Sequence, residues 1–331
     1  MGFPDIIGHE RAKHLVQAML AGGRLPHALL ITGPAGVGKR TLARTLAQAV
    51  NCDGPDPTEA CGVCPACRKI EKNNHPDVFE LEPEGKLRVI KIDSIRELRR
   101  NIGFRPYEGR CKVYIIRDAD RLQAQKDEAA NALLKTLEEP PPRSLLILTA
   151  PRESDLLPTI VSRCLRLKLA PLSRERVSDW LKTRRRLDGP QADLLAALSE
   201  GCLGRVTEMD PHQLWNERRK VVDHLGTLNS KNPGLALDWA AELAGSEEFW
   251  PRFFNLARFW YRDLMLLAGT GDGRRLAFSD LAGELEKVVA GRSAEPFMAA
   301  LSEIDRAEES LARLIKPELV FDNLILALAW L

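Results

Sequence analysis

Short apolar runs alternate with helical patterns along the first half of the chain. Helical spacing covers residues 10–20, 41–47 and 131–139, and Asp93-Ser94 is expected to cap another helix whose apolar face includes Ile95 and Leu98. The strand-like runs are residues 28–31, 75–81, 113–116, 144–149 and 165–169. Because strands of this kind alternate with helices, the pattern predicts an α/β domain with a parallel sheet covered on both faces.

Beyond Pro171 the pattern becomes almost wholly helical. Helical spacing covers residues 174–183 and 191–198, Gly201–Arg205 is expected to open one more helix, and longer helical patterns follow from about Pro211. We therefore predict three domains: an α/β domain over residues 1–169, a small helical lid over 170–209 and an all-α domain over 210–331. The large apolar residues of the third domain either form its own core or are buried against neighbouring subunits.

Composition and charge limit the classes of partner. The chain has 331 residues, of which 44% are hydrophobic and 28% charged, as in soluble globular proteins. Its 48 Lys and Arg residues against 46 Asp and Glu residues leave a net charge of +2, so any nucleic-acid contact requires a local basic patch. The sequence shows no membrane-spanning run and no signal-peptide pattern, and we expect a cytoplasmic protein without membrane contact.

A glycine-rich loop lies between the first predicted strand and the helix that follows it. Residues 33–40 read Gly-Pro-Ala-Gly-Val-Gly-Lys-Arg. The loop matches the P-loop pattern through Gly33, Gly38 and Lys39, and such a loop directs backbone N–H groups and a lysine at nucleotide phosphates. With Gly36 and Thr41, these residues form the candidate nucleotide site.

Two arginines stand where magnesium ligands are expected in a P-loop enzyme. Arg40 replaces the Ser or Thr that follows the lysine, and Arg117 replaces the acidic residue at the end of the strand over residues 113–116. Because a guanidinium stays protonated and cannot bind a cation, we predict that the hydrolytic chemistry is lost. The alternative is that Thr41, with Asp118 or Asp120, replaces the missing ligands.

Four cysteines follow the P-loop helix with the spacing C-x8-C-x2-C-x2-C, among several Gly and Pro residues. They are Cys52, Cys61, Cys64 and Cys67. Four thiolates in one turn-rich segment are typical of a tetrahedral structural zinc site without an open position for water. Disulfides are disfavoured in a reducing cytoplasm, and unbonded thiols would leave the clustering unexplained. The other cysteines, at positions 111, 164 and 202, are scattered and are expected to be packing residues.

A basic helix face follows the second predicted strand. It contains Arg96, Arg99 and Arg100, and Arg105 lies just beyond it. These residues either contact nucleic-acid phosphates or form an ordinary solvated charged face. The sequence does not decide between these two interpretations.

These features together resemble bacterial clamp-loader subunits of the AAA+ class over almost the whole chain. The P-loop and the cysteine module are joined by the Leu-Lys-Thr-Leu-Glu-Glu-Pro-Pro run at residues 134–141, by Ser162-Arg163-Cys164 and by Lys316-Pro317-Glu318-Leu319. The cysteine module and the run at residues 134–141 are the most specific of these motifs. The loss of both magnesium ligands resembles the member of that family that does not hydrolyse ATP.

The resemblance implies a five-membered ring in which the helical third domain is the collar. The expected partners are the motor (gamma/tau) and delta subunits, with the sliding clamp and primer-template DNA contacted through the assembled complex. In the matching motif, Arg163 is the residue that reaches the ATP of a neighbouring subunit. Arg205 lies near the position of a nucleotide-sensing lid arginine, although Gly204 shifts its register. ATP binding by this chain is expected to be weak or absent.

Two other functions fit parts of the sequence. The chain can be an active ATPase motor of the same family, if other residues supply the magnesium ligands. It can instead be a zinc-stabilised DNA-binding protein that acts alone, although the near-zero net charge disfavours this function.

Overall fold

The computed structural model describes residues 2–85, 88–124, 128–207, 209–229 and 231–331. The chain divides into two compact units. The first consists of Met1–Leu172 together with Gly201–Arg205, and the second of Ser173–Glu200 together with Val206–Leu331. The finer division into an α/β domain, a lid and a collar stays a prediction.

The first unit contains a five-stranded parallel sheet with the strand order β2-β3-β4-β1-β5. The strands are β1 (Ala28–Thr32), β2 (Val78–Leu81), β3 (Lys112–Ile116), β4 (Ser144–Ala150) and β5 (Leu165–Lys168). Each predicted strand is therefore present, and the predicted α/β class is confirmed. Because β1 pairs with β4 on one side and β5 on the other, the glycine loop that follows β1 leaves the interior of the sheet.

Helices cover both faces of this sheet. On one face Leu29 and Ile31 of β1 share a buried cluster with Leu42 and Leu46. On the other face Leu30 belongs to a second cluster of buried residues. The helices of the first unit are α1 (Glu10–Ala21), α2 (Lys39–Val50), α3 (Pro65–Glu71), α4 (Ile92–Ile102), α5 (Glu128–Glu138) and α6 (Pro158–Val161).

The start of α4 differs from the prediction. The helix begins at Ile92, its N-cap is Lys91 with an extended backbone, and no side chain caps it. Asp93 therefore lies inside the first turn rather than at the cap. A carboxylate in the first turn still interacts favourably with the helix dipole, which explains why the sequence signal falls close to the true start.

The regular secondary structure in the described part of the second unit is all helical. Its α-helices are α7 (Arg174–Arg184), α8 (Gly189–Ser199), α9 (Pro211–Thr227), α10 (Pro233–Ala244), α11 (Trp250–Thr270), α12 (Ala282–Val289), α13 (Glu295–Ala312) and α14 (Pro317–Ala329). Aromatic residues of α11, among them Phe253, Phe254 and Trp260, are buried in the core of the second unit. Within the described part of the chain, no helix is both long and apolar enough to cross a membrane.

The prediction that a helix opens at Gly201–Arg205 is wrong. This segment contains only a short 3-10 helix, Leu203–Arg205, and the next α-helix begins at Pro211. Gly201 has a φ of +77°, where a helix cannot continue. The side chain of Asp210 instead caps α9 by accepting hydrogen bonds from the N–H groups of His212 and Gln213.

A buried carboxylate fixes the segment before β3. Asp77 is fully buried and accepts hydrogen bonds from the N–H groups of Tyr107 (2.7 Å), Glu108 (2.8 Å) and Gly109 (2.8 Å). Burial acts to raise the pKa of Asp77, but these backbone donors outweigh it and the pKa is lowered. The ionised form therefore stabilises the fold.

We expect Asp77→Asn to lower the free energy of unfolding at pH 7 by about 1–3 kcal/mol, because an amide matches three converging N–H donors less well than a carboxylate. A carboxylate with a lowered pKa stabilises the fold above its unfolded pKa of about 4, and this contribution is lost as the pH falls through the folded pKa. The difference in unfolding free energy between the variant and the wild type, measured by urea unfolding, should therefore be smaller at pH 3 than at pH 7. Asp56→Asn, at an exposed position, is the control. A destabilisation by Asp77→Asn that has the same size at both pH values would contradict the assignment.

Candidate nucleotide site and metal centre

The glycine loop has a backbone that only glycine adopts readily. Gly33, Gly36 and Gly38 have φ values of +150°, +79° and +107°, and α2 begins at the next residue, Lys39. A side chain at Gly33 would clash with the carbonyl oxygen of Leu169. The strand, loop and helix predicted from the sequence are therefore present, and the loop residues of the candidate site lie together.

Lys39 is folded across its own loop. Its Nζ donates hydrogen bonds to the carbonyl oxygens of Gly33 (2.6 Å) and Pro34 (3.0 Å), and the residue is buried. Burial lowers the pKa of Lys39, while the nearby carboxylates of Asp118 and Asp120 oppose the shift. A phosphate group would therefore have to replace two existing acceptors of this lysine.

The 3-10 helix Leu203–Arg205 packs directly on the glycine loop. The N–H group of Gly204 donates to the carbonyl oxygen of Gly36 over 2.9 Å. A Cβ atom at Gly204 would lie 2.8 Å from the Cα atom of Gly36, and one at Gly36 would lie 3.0 Å from the backbone nitrogen of Arg205. The two backbones therefore touch, and they place Arg205 beside the loop.

Glu80 joins the two arginines that occupy the magnesium-ligand positions. Arg40 donates to its carboxylate through Nε (2.6 Å) and Nη2 (3.0 Å), and Nε of Arg117 lies 3.6 Å from it. Nη1 of Arg44 is also 3.6 Å away, and Arg117 makes a second ion pair with Glu82. The side chain of Glu80 is only 11% exposed. A partly buried carboxylate thus accepts contacts from three guanidinium groups.

The sequence interpretation missed Glu80. The residue lies within the strand-like run at residues 75–81, where an acidic side chain among apolar ones was the available signal. Its arginine partners on α2 are about forty positions earlier in the chain. Sequence spacing alone therefore gave no indication that they meet.

The residues of the alternative magnesium site are divided between two places. Thr41 lines a cavity of about 240 Å³ together with Arg44, Gln48 and Glu71. Asp118 has a φ of +47°, and its N–H group donates to the hydroxyl of Thr149 at 3.1 Å. Burial raises the pKa of Asp120. The carboxylates of Asp118 and Asp120 interact electrostatically with Lys39, whereas the described lining of the cavity beside Thr41 includes neither Lys39 nor an aspartate.

The four predicted cysteine ligands come together. The Sγ atoms of Cys52, Cys61, Cys64 and Cys67 all lie within 4.8 Å of one another. Tetrahedral zinc with Zn–S bonds of about 2.3 Å places its sulfur ligands about 3.8 Å apart, so the cluster needs little adjustment to bind a metal ion. This arrangement confirms a cluster able to hold a metal ion, and zinc as its identity stays a prediction.

Backbone donors converge on the same sulfur atoms. Cys61 N–H and Gly54 N–H each lie 3.2 Å from Sγ of Cys52, and Cys64 N–H lies 3.3 Å from Sγ of Cys61. The N–H groups of Val63 and Cys64 lower the pKa of Cys61 to about 6, whereas burial raises the pKa of Cys52 and of Cys67. Donors of this kind stabilise thiolates, the form of cysteine that binds metals. The three cysteines outside the cluster are buried or half-buried, as expected for packing residues.

Arg163 pairs within its own chain. Its Nη2 donates to Oε1 of Glu138 over 2.7 Å, and its Nη1 to the carbonyl oxygen of Thr159 over 2.9 Å. The Arg163 side chain is 34% exposed and that of Glu138 is 48% exposed. The arginine is therefore at the surface, and its ion pair is accessible to solvent.

The basic face of α4 is exposed. Arg96 pairs with Asp93 over 3.2 Å, whereas Arg99, Arg100 and Arg105 form no ion pair with the described residues. Two aromatic side chains nearby, Phe104 and Tyr107, are 68% and 86% exposed. Basic residues interleaved with aromatic ones occur in nucleic-acid interfaces and also on solvated surfaces, so both interpretations of this face remain open.

We expect one zinc ion per chain in freshly purified, reduced protein, because the four sulfur atoms already form a complete ligand set. Cys64→Ser should lose the ion and lower the melting temperature, and a chelator should do the same to the wild-type protein. Elemental analysis and thermal unfolding measure both effects. The matched control is Cys111→Ser, outside the cluster, which should keep the zinc. Reduced wild-type protein without metal would contradict the assignment.

Comparisons with known proteins relate these sites to a family. Residues 8–173 match the family described as "DNA polymerase III, delta subunit". The "DNA polymerase III subunit gamma" of Buchnera aphidicola is 40% identical over 250 residues, which cover 71% of this chain and 66% of the relative. The "DNA polymerase III subunit tau" of Salmonella typhimurium is 37% identical over 180 residues, 54% of this chain and 27% of the relative. The chain thus spans less than two thirds of these relatives.

A further relative matches over most of its length. The "DNA polymerase III subunit delta'" of Pseudomonas aeruginosa is 38% identical over 265 residues, which cover 78% of both chains. Among solved structures, a gamma subunit-related protein from Thermotoga maritima is 18% identical and covers 97% of this chain, with a TM-score of 0.45 that is too low to bear on function. The family match and the long, similar relative agree, and the chain belongs to the DNA polymerase III delta-subunit family, which confirms the clamp-loader resemblance of its sequence.

Proposed function

We propose that this chain is a non-hydrolysing, delta-prime-type subunit of a bacterial clamp loader, the complex that loads the sliding clamp on primed DNA. The observation that carries the proposal is the ion-pair cluster of Arg40, Glu80 and Arg117. Both positions that would bind magnesium in a P-loop enzyme carry a permanent positive charge. Two unit charges 4 Å apart interact by about 4 kcal/mol near a protein surface, so each guanidinium strongly opposes a divalent cation.

The geometry of the glycine loop supports the proposal that ATP binding by this chain is weak or absent. Gly33, Gly36, Gly38 and Lys39 provide the geometry of a phosphate site, but Lys39 is already bonded to two loop carbonyls. The contact between Gly36 and Gly204 covers part of the loop. Nucleotide binding would require both arrangements to change without the help of a metal ion.

We propose that Arg163 acts on the ATP of a neighbouring subunit. Its pair with Glu138 is exposed to solvent, and such pairs contribute only about 0–1 kcal/mol, so the guanidinium can exchange this partner for a phosphate at little cost. The Ser162-Arg163-Cys164 motif supports this role through the family resemblance. The alternative is that Arg163 has no role in trans and serves only as a structural ion-pair partner of Glu138.

The helical domain over residues 210–331 is the proposed collar, which joins the motor (gamma/tau) and delta subunits. Its carboxyl-terminal part leaves large apolar side chains exposed, with Leu314 at 92%, Leu319 at 56% and Trp330 at 74% exposure. Neighbouring exposed apolar residues of this kind occur where subunits meet. Clamp and primer-template DNA are then contacted through the assembled complex, and residues 170–209 form the proposed lid.

An active motor of the same family is the second candidate. Asp118 and Asp120 partly oppose the lowering of the Lys39 pKa by burial, so carboxylates are present near the loop. Relatives named gamma and tau are also 37–40% identical. The proposal is distinguished from this candidate by whether the isolated chain binds and hydrolyses Mg-ATP.

We expect Arg40→Thr alone to leave ATP hydrolysis absent, because Arg117 still places a cation at the second ligand position. The double variant Arg40→Thr/Arg117→Asp should gain magnesium-dependent ATP binding, measured by calorimetric titration with and without magnesium. Arg44→Ala is the matched control, since it removes a contact to Glu80 without changing a ligand position. Ordinary Mg-ATP affinity in the wild-type chain would contradict the proposal and favour the motor.

We expect Arg163→Ala to leave complex assembly unchanged and to reduce clamp- and DNA-stimulated ATP hydrolysis in the reconstituted complex. An arginine finger contributes about 10³ to 10⁵ in rate in small GTPases, and a ring with several active sites should show less. Arg166→Ala is the control, because Arg166 is an exposed arginine that pairs with Glu153 instead. Unchanged hydrolysis at the adjoining site would exclude the role in trans.

A further inference from the structure

A cavity of about 580 Å³ lies beside β2 in the first unit. Its walls are formed by all four residues of β2, by one face of α4 and by the segment that leads into the strand. From α4 come Ser94, Glu97, Leu98 and Asn101, whose spacing of three and four places them on one helix face. This face is separate from the basic residues at positions 96, 99 and 100. The volume is in the range of ligand-binding pockets.

The wall formed by β2 is an open sheet edge. β2 is the last strand on its side, and within the described residues it pairs only with β3. The carbonyl oxygens of Asp77 and Leu81 accept from the N–H groups of Val113 and Arg117 of the β3 region, both at 2.8 Å. Because hydrogen bonding alternates along a strand, the backbone N–H and C=O groups of Glu80 point away from β3, towards the open edge.

An unused hydrogen-bonding group lies in the same wall. Tyr114 is 2% exposed, and its hydroxyl oxygen is buried without a partner among the described residues. Its ring stacks on that of Phe79, with centroids 4.8 Å apart. Burial raises the pKa of Tyr114 to about 12, with further contributions from Glu97 and Asp77, so the hydroxyl keeps its proton and can either donate or accept a hydrogen bond. A buried polar group without a partner is costly unless a ligand or water satisfies it.

The charge of the cavity selects the class of ligand. Among the described residues that line it there is no lysine or arginine, and the carboxylates are those of Glu80 and Glu97. The carboxylate of Glu80 is already engaged by Arg40, which leaves the exposed Glu97. Serine and asparagine side chains supply neutral polar groups. These described lining residues offer a phosphate no lysine or arginine, whereas a basic side chain and peptide amides would find carboxylate, hydroxyl and amide groups.

We propose that an extended, basic segment of a partner protein binds in this cavity by adding a strand to the open edge of β2. Its backbone pairs with that of Glu80, and a lysine or arginine side chain reaches Glu97 beside the hydroxyl of Tyr114. Strand addition of this kind gives affinity through backbone hydrogen bonds and specificity through side-chain pockets. Since β2 has four residues, the bound segment is about four residues long. This inference does not depend on the clamp-loader assignment.

Sets of fluorescent, end-blocked hexapeptides test the proposal on the intact chain. In each set one central position is fixed as Lys, Arg, Leu or Glu and the other positions are mixed, so that the result does not depend on knowing the partner. Fluorescence polarisation should show binding of the Lys and Arg sets and at least tenfold weaker binding of the Glu set. N-methylation of alternate backbone amides should abolish binding in one of its two registers, because strand pairing uses alternate amides.

Variants locate the binding site. Tyr114→Phe removes only the hydroxyl and should weaken the Lys set by about two- to tenfold, the usual effect of one hydrogen bond. Glu97→Gln, at an exposed position, should remove the preference for Lys over Leu without affecting the fold. The matched control is Tyr107→Phe, since Tyr107 is 86% exposed and lies outside the cavity. Thermal unfolding shows whether each variant is folded.

The outcomes decide the proposal in either direction. Binding of the basic sets that depends on Glu97 and on one register of backbone amides supports it. Absence of binding in every set overturns it, as does equal binding of the Lys and Glu sets. Binding that Glu97→Gln leaves unchanged, or that Tyr107→Phe weakens as much as Tyr114→Phe, also overturns it.

Discussion

The ion-pair cluster around Glu80 links three parts of the first unit that are distant in sequence. Arg40 and Arg44 come from the helix after the glycine loop, Arg117 follows β3, and Glu80 lies on the edge strand β2. Removing one partner of such a cluster leaves partly buried charge uncompensated, which is usually far more costly than the pair itself is stabilising. The cluster therefore constrains both the edge strand and the region where a metal would bind. The carboxylate of Glu80, which could otherwise attract a metal cation, is already neutralised by these arginines.

The two chemical sites of the chain differ in how complete they are. The cysteine cluster has four sulfur ligands within 4.8 Å of one another and backbone donors that favour thiolates, so little besides a metal ion is required. The nucleotide site has the loop and the lysine, but arginines occupy its metal positions and Gly204 packs against its backbone. A cysteine cluster able to hold a metal ion and a glycine loop with arginines at the expected ligand positions therefore occur in the same unit, and they depend on different residues.

Local sequence patterns predicted most of the fold, but they could not predict contacts between residues that are distant in sequence. The strands β1, β3 and β4 are apolar runs buried on both faces, and the four cysteines of the cluster are close in sequence, so the sequence pattern predicted both. The start of α4 was misplaced because Asp93 fits a cap and a first turn equally well. The segment Gly201–Arg205 was misread as helix because its position on the glycine loop is set by the contact between Gly204 and Gly36. Glu80 was missed for the same reason, since its partners come from other elements.

The glycine loop shows why the P-loop pattern alone does not establish nucleotide binding. A side chain at Gly33 would clash with Leu169, and side chains at Gly36 and Gly204 would separate two backbones that are hydrogen-bonded. These requirements come from packing within the chain and hold whether or not a phosphate is present. Lys39 likewise has acceptors of its own within the loop. The glycines and the lysine are thus explained by the fold, and the proposal that hydrolysis is lost rests instead on positions 40 and 117, where arginine carries a permanent positive charge.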